Sequence, residues 1–142
     1  MINDLKVGQI LWLKVRYQLD KVSETKHPML IAKIEENHIE IIAIDKTSGK
    51  IHQLYRPYNH YINSQNPYET VIYEDSYAQL NTKLTVDNFP ELIKYRKTTD
   101  CLSKEKLADL LENYTEYQQN NILDKARIVH MSKSELLAIN WV

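Results

Sequence analysis

Two short polar segments hold the residue types that cleavage of a phosphodiester requires. Lys26-His27 stands immediately before Pro28, and Thr47-Ser48-Gly49-Lys50 follows the apolar run of residues 38–44. The chain between them reads as a β-hairpin, and antiparallel strands bring their outer ends together, so the two segments are expected to be neighbours. A cation, an imidazole, two hydroxyls and a second cation would then share one end of a sheet. Cleavage of RNA without a metal needs such groups. A base takes the proton of a 2′-hydroxyl, an acid protonates the departing 5′-oxygen, and cations stabilise the crowded phosphate. Imidazole exchanges protons near neutral pH, which makes His27 the candidate for proton transfer. Lys26 or Lys50 would hold the phosphorane charge, and Thr47 or Ser48 would position it. The same residues also make ordinary polar turns, and spacing alone does not separate the two readings.

A second signal lies just downstream. Residues 46–68 contain Lys46, Lys50, Arg56, His52 and His60 but no Asp or Glu, interleaved with Tyr55, Tyr58, Tyr61, Tyr68, Asn59 and Asn63. Basic residues mixed with aromatics suit single-stranded nucleic acid, because cations meet phosphates while rings stack on bases. The alternative is a Tyr-rich loop packed over the sheet. No HxH, HxxxH or HExxH spacing joins the five histidines, so no metal site is expected. Cys101, beside apolar Leu102, reads as a buried structural thiol. Glycine patterns for a P-loop or a dinucleotide fold are absent from a sequence with 2 glycines, and no cofactor is expected.

These groups need a scaffold, and the chain is long enough to supply one. Its 142 residues are 43% hydrophobic, a single-domain composition that buries a sizeable core. No apolar run reaches the roughly 18 residues of a membrane span, and the start lacks a signal peptide's hydrophobic region, so a cytoplasmic location is expected. The formal charge of −1 argues against general coating of nucleic acid, but it sums unlike halves. Residues 1–68 carry nine Lys/Arg against seven Asp/Glu, whereas residues 69–142 carry nine against twelve.

Strands are expected over residues 10–15, 29–34, 38–44 and 51–55, then 70–73 and 76–80, running on to 85–86. Residues 17–26 read as a long loop, 35–38 as a tight turn and 56–68 as irregular. Helices are expected from Asn88, with Pro90 and Glu91 in its first turn, to about Lys97, and from Ser103 with a stripe of Leu107, Leu110, Leu111, Tyr114 and Tyr117. Ile122, Leu123, Ala126 and Val129 predict another, and Ser132 with Glu135 starts a last one carrying Trp141. The result is an α+β chain, with a small β-barrel or curled sheet over 1–86 and a helical part over 87–142.

The order of these segments resembles the PemK/MazF family of toxin endoribonucleases. Gly8-Gln9-Ile10-Leu11-Trp12, Lys26-His27-Pro28-Met29-Leu30-Ile31 and Ile41-Ile42-Ala43-Ile44 leading to Thr47-Ser48-Gly49 carry the likeness. Residues 76–86 and 102–107 extend it, so that it spans residues 6–117. The resemblance implies an SH3-like barrel with appended helices, often a homodimer. It also implies metal-independent cleavage of single-stranded RNA, restrained by a cognate antitoxin. Thr47 or Ser48 would stand at the family's catalytic hydroxyl. His27 falls where the family has Arg, with Lys26 adjacent, and Asn81 falls near a position that is Asp in some members. Type III toxins, which are held by a structured RNA, match locally at Lys26 and Thr47-Ser48-Gly49-Lys50, so a protein and an RNA antitoxin both stay open. The candidate catalytic residues are therefore His27, Thr47 and Ser48. Lys26, Lys46, Lys50, His52, Arg56, Tyr58, Gln79 and Asn81 are the candidates for substrate binding. The His-for-Arg and Asn-for-Asp differences favour an alternative: a non-catalytic SH3-like module, or a degenerate relative, that binds RNA or a protein partner. A third reading makes the helices of residues 103–142 a contact surface.

Overall fold

Two apolar runs without polar alternation, residues 29–34 and 39–44, signal strands covered on both faces, and the rest of the fold is built around them. The computed structural model describes residues 2–18, 21–63, 71–72 and 74–140. It is α+β, with a seven-stranded, mostly antiparallel sheet. The sheet strands are β1 (Ile10–Leu13), β4 (His27–Ile34), β5 (His38–Lys46), β6 (Asn59–Ile62), β7 (Ser76–Gln79), β8 (Lys83–Asp87) and β9 (Ile128–Met131). Strands β2 (Arg16–Gln18) and β3 (Lys21–Val22) form a separate small hairpin, and the helices are α1 (Lys104–Asn120) and α2 (Lys133–Ile139).

β4 and β5 form the expected hairpin, closed by Glu35 N–H donating to the His38 carbonyl at 2.9 Å. β1 lies on the other side of β4, with Leu13 opposite His27. The far side of β5 is shared. Ile41 pairs with Leu84 of β8, while Ile44 pairs with Ala78 of β7. Three residues along β5 therefore span six along its partner, and the surplus chain at residues 80–82 kinks the sheet. Beyond the kink the sheet forks, since β7 carries antiparallel β6 and β8 carries parallel β9.

Each face of this sheet has its own core. On one, Leu11, Leu13, Met29, Ile31, Ile39 and Ile41 meet Val129, Met131 and Leu136. On the other, Ile10, Leu30, Ile42, Ile44 and Ala78 meet Leu110 and Tyr114 of α1. A fully buried Leu or Ile stabilises by roughly 1.5–3 kcal/mol, so a sheet covered twice is stiff at its hairpin. Polar contacts fix the docking of α1: Tyr114 donates to Glu40 at 2.7 Å, and the Gln118 amide donates to the Leu80 carbonyl at 2.7 Å. The expected stripe of α1 faces this core, with Leu102 and Leu107 both in contact with it.

Several expectations are corrected. Of the small barrel or curled sheet expected, no closed barrel forms among the described residues, where the sheet is open. β1 does not pair with β9. Its continuation at Lys14 meets a side chain instead, because the Asn140 amide accepts from Lys14 N–H at 2.7 Å and donates to the Lys14 carbonyl at 2.9 Å. Residues 51–55 form a 3₁₀ turn and not a strand. Lys50 N–H bonds back to the Thr47 carbonyl and Gln53 N–H to Lys50, and none of the five side chains is buried, so no sheet face holds them. The loop expected over 17–26 contains β2 and β3, secured by Val15 N–H donating to the Ser23 hydroxyl at 2.9 Å. Residues 56–68 supply β6, which was expected to be irregular.

The helix expected from Asn88 is a 3₁₀ turn at Pro90–Tyr95 with Phe89 at its N-cap. Asn88 does not cap it, since its amide donates to the Glu35 carbonyl and its oxygen accepts from Asn3, both at 3.0 Å. The helix expected over 122–129 is a 3₁₀ turn at Lys125–Arg127 followed by β9, in which Val129 and Met131 are buried while Ile128 and His130 are exposed. The helical part expected over 87–142 thus returns to the sheet. Val71 and Ile72 are buried without forming a strand, and Cys101 is exposed, the inward place going to Leu102. Tyr68, Thr70, Tyr73 and Trp141 lie outside the described residues. Ser132 starts α2 as expected, its hydroxyl accepting from Glu135 N–H at 3.2 Å. No helix among the described residues is long and apolar enough to cross a membrane.

Candidate functional site

The hairpin geometry brings the outer ends of β4 and β5 together. The β4–β5 ladder ends at Met29 opposite Ala43, two residues short of His27 on one strand and of Asp45 on the other. His27 and Asp45 both line a cleft of about 560 Å³, along with Lys26, Lys46, Lys97 and Trp12. Ile10, Ile44, Val71 and Ile72 contribute its apolar wall. Trp12 stands on β1 between buried Leu11 and Leu13, so alternation turns its ring outward, and it is 42% exposed. Lys97 Nζ lies 5.8 Å from the centre of that ring, within cation–π range.

The cations and anions here do not cancel evenly. Asp45 is occupied: one oxygen accepts Lys46 N–H at 2.8 Å, and the other accepts Lys50 Nζ at 2.9 Å and the Tyr77 hydroxyl at 3.2 Å. Burial, reinforced by Asp45, pushes the Tyr77 hydroxyl up to about 12, so it stays a donor to that carboxylate. Lys46 Nζ is 3.6 Å from Glu74 across two exposed side chains, a pairing that water screens. His27 is half-buried, with Nε2 at 3.4 Å from the Thr25 hydroxyl.

The cleft continues on both sides. A smaller one of about 320 Å³ shares Trp12, Lys26 and Lys97 and adds Lys94, Tyr95 and Arg96. Four cations thus surround Trp12. A second, of about 570 Å³, shares His27 and Asp45 and adds Tyr17, Gln79 and Arg127. His27 stands where the two larger clefts meet.

The sequence-selected residues divide accordingly. Lys26, His27 and Lys46 are brought together, and Gln79 joins His27 in the adjoining cleft. Thr47 follows directly on Lys46 but does not line these clefts. Its N–H and hydroxyl both donate to the Asp75 carbonyl, at 3.0 and 3.1 Å, which pins the end of β5. Ser48 is exposed in the turn. Lys50 is drawn to Asp45. His52 and Arg56 are exposed on the 3₁₀ turn and its cap, Tyr58 is half-buried with its carbonyl bonded to Leu80 N–H at 2.7 Å, and Asn81 sits at the kink; none of the four lines the three clefts. Among the described residues, no group of three or more His, Cys, Asp or Glu is placed to hold a metal ion.

The main contributors missed in the sequence are Trp12, Asp45, Lys94, Arg96, Lys97 and Arg127. The run Lys94-Tyr95-Arg96-Lys97 is itself basic with an aromatic inside it, which was a readable signal. Its position was not readable, because Lys97 N–H bonds to the Ile10 carbonyl at 2.8 Å and Arg96 bridges to Leu11, contacts more than eighty residues apart in the chain. No protein-family model matches the chain, and no curated protein matches it significantly.

Proposed function

We propose that this chain is a PemK/MazF-like endoribonuclease that cuts single-stranded RNA beside His27, acting as the toxin of a toxin–antitoxin pair. One observation carries the reading: the His27 imidazole lines one cleft together with Lys26, Lys46, Lys97 and the exposed ring of Trp12. Lysines attract the phosphate backbone, Trp12 and Tyr95 offer faces for stacking, and single strands alone present bases to such faces. His27 takes the 2′-hydroxyl proton, and the lysines stabilise the phosphorane that forms. Attack of the 2′-oxygen on phosphorus breaks the bond to the 5′-oxygen, which takes a proton from water, and leaves a 2′,3′-cyclic phosphate. Thr47, next to Lys46 and fixed by two bonds to one carbonyl, and exposed Ser48 beside it stand where the resemblance expects the catalytic hydroxyl. An SH3-like ancestry, opened where Asn140 replaces a strand, is part of the same proposal, as are a homodimeric state, a cytoplasmic setting and a protein or RNA antitoxin.

A second reading, an RNA-binding module without cleavage, is favoured by one feature. The Thr47 hydroxyl proton is already donated to the Asp75 carbonyl, and the Asp45 oxygens are taken by three donors, so neither is free to assist His27 in proton transfer. Induced expression in a bacterium separates the two. The nuclease arrests growth, and His27→Ala, with a cleavage rate about 10²–10⁴-fold lower, relieves the arrest. Well-folded protein at high level with undiminished growth overturns the nuclease reading, and persistent RNA binding by that protein then supports the module.

A further inference from the structure

The chain after residue 117 lies beyond the stretch that resembles the family, yet it returns to the site. From α1 it passes through the 3₁₀ turn Lys125–Arg127 and enters the sheet as β9. The turn is held at both ends. The Asp124 carboxylate accepts Ala126 N–H at 3.1 Å, and the Asp124 carbonyl accepts Arg127 N–H at 2.8 Å. β9 is locked beside β8, with Ile128 opposite Lys83. After β9, Glu135 receives Arg16 through two bonds of 2.8 and 3.2 Å, and Asn140 pairs with Lys14. These clamps aim Arg127 into the cleft of about 570 Å³ on the far side of His27, with Tyr17 and Gln79.

Resting on the RNA reading above, we infer that Arg127 is a substrate-binding residue and that the C-terminal segment exists in the site to deliver it. The single strand crosses His27. One flank lies on Trp12 and Lys97, and the other lies with a base on Tyr17 and a phosphate on Arg127. Three observations favour this path. His27 is shared by both clefts, so a ligand reacting there has room on either side. Tyr17 is 40% exposed, a ring face available for stacking. Arg127 makes no ion pair among the described residues, and its planar fork matches the oxygens of a phosphate. Glu24 is the opposing charge in this cleft, because Asp45 is already paired with Lys50. Gln79 adds an amide able to read a base edge.

The test measures binding of the full chain to an oligoribonucleotide carrying 2′-deoxy substitutions, which cannot cyclise. Arg127→Gln weakens binding about tenfold, as expected for a lost charge-assisted hydrogen bond. It also flattens the plot of log affinity against log salt by about 0.7, the value for one phosphate contact to a single strand. Lys125→Gln, in the same turn but outside the cleft, changes affinity less than about twofold, in line with an exposed charge. Arg127→Lys restores the salt slope but not the full affinity. Tyr17→Leu, which leaves the turn untouched, costs at least about fivefold through lost stacking. If wild-type protein binds and Arg127→Gln behaves like Lys125→Gln, or Tyr17→Leu binds as wild type, this inference is overturned and the RNA reading stands. If wild-type protein does not bind RNA at all, both fall together.

Discussion

Replacing Asn140 with leucine should be among the most damaging single changes in the molecule, although Asn140 is polar and close to the end of the described chain. Its side chain is 3% exposed and makes three hydrogen bonds: from Lys14 N–H at 2.7 Å, to the Lys14 carbonyl at 2.9 Å and to the Leu136 carbonyl at 2.9 Å. Leucine has nearly the same shape, so packing is conserved and the polar terms are isolated. Each backbone group left unpaired in a buried setting costs about 1–3 kcal/mol. Lys14 is only partly buried, so water reaches some of its lost partner's place, and the total falls at roughly 2–4 kcal/mol. For a domain of this size that lowers the melting temperature by roughly 10 °C, with part of the loss confined to the C-terminal segment if it detaches first. Urea denaturation followed by far-ultraviolet circular dichroism reads the change, and proteolysis locates any local opening. Asn140→Asp should be worse, since a charged oxygen would face two carbonyls. A loss below about 0.5 kcal/mol for Asn140→Leu, within the range of ordinary surface substitutions, would refute the view that this amide stands in for a missing strand.

Two other predictions concern stability. Gly8 has φ +94°, and a Cβ there would meet the Leu107 Cδ2 at 2.8 Å, so Gly8→Ala should cost about 1–2 kcal/mol from backbone strain, measured by chemical denaturation. His60 is held below its ordinary value by burial, only partly offset by Asp109, while Nδ1 accepts from Asn113 at 2.7 Å. A histidine depressed in the fold binds its proton more readily when unfolded. Its contribution is therefore complete above about pH 6.5 and declines on acidification, by at most about 1.4 kcal/mol per pH unit. His60→Gln should remove the slope that sets in below about pH 6.5 but leave the loss at more acid pH that comes from Asp87 and Glu135, both lowered in the fold by the partners that bind them.

What was legible in the sequence was local. The β4–β5 hairpin announced itself by two apolar runs around four polar residues, α1 by the spacing of Leu107, Leu110 and Tyr114, and α2 by Ser132 and Glu135. Those elements suffice to bring Lys26, His27 and Lys46 together. Other parts depended on partners distant in the chain. β9 is four residues long and pairs in parallel with β8, so its strand character arises from a neighbour that a helical reading of Ile122, Ala126 and Val129 does not contain. The stretch 51–55 has strand-like composition, but positive φ at Gly49 turns the chain into successive three-residue bonds. The basic character assigned to 46–68 proved to be split: Lys46 reaches the cleft, Lys50 neutralises Asp45, and the remaining cations come from Lys94, Arg96, Lys97 and Arg127.

The most direct test of the account is to incubate the purified chain with a 5′-labelled single-stranded RNA in the presence of EDTA and to identify the product ends by mass spectrometry. The account predicts fragments ending in 2′,3′-cyclic phosphate, absent with His27→Gln and absent when the RNA is replaced by DNA of the same sequence. RNA that remains intact, or cleavage that is unchanged in His27→Gln, would contradict it.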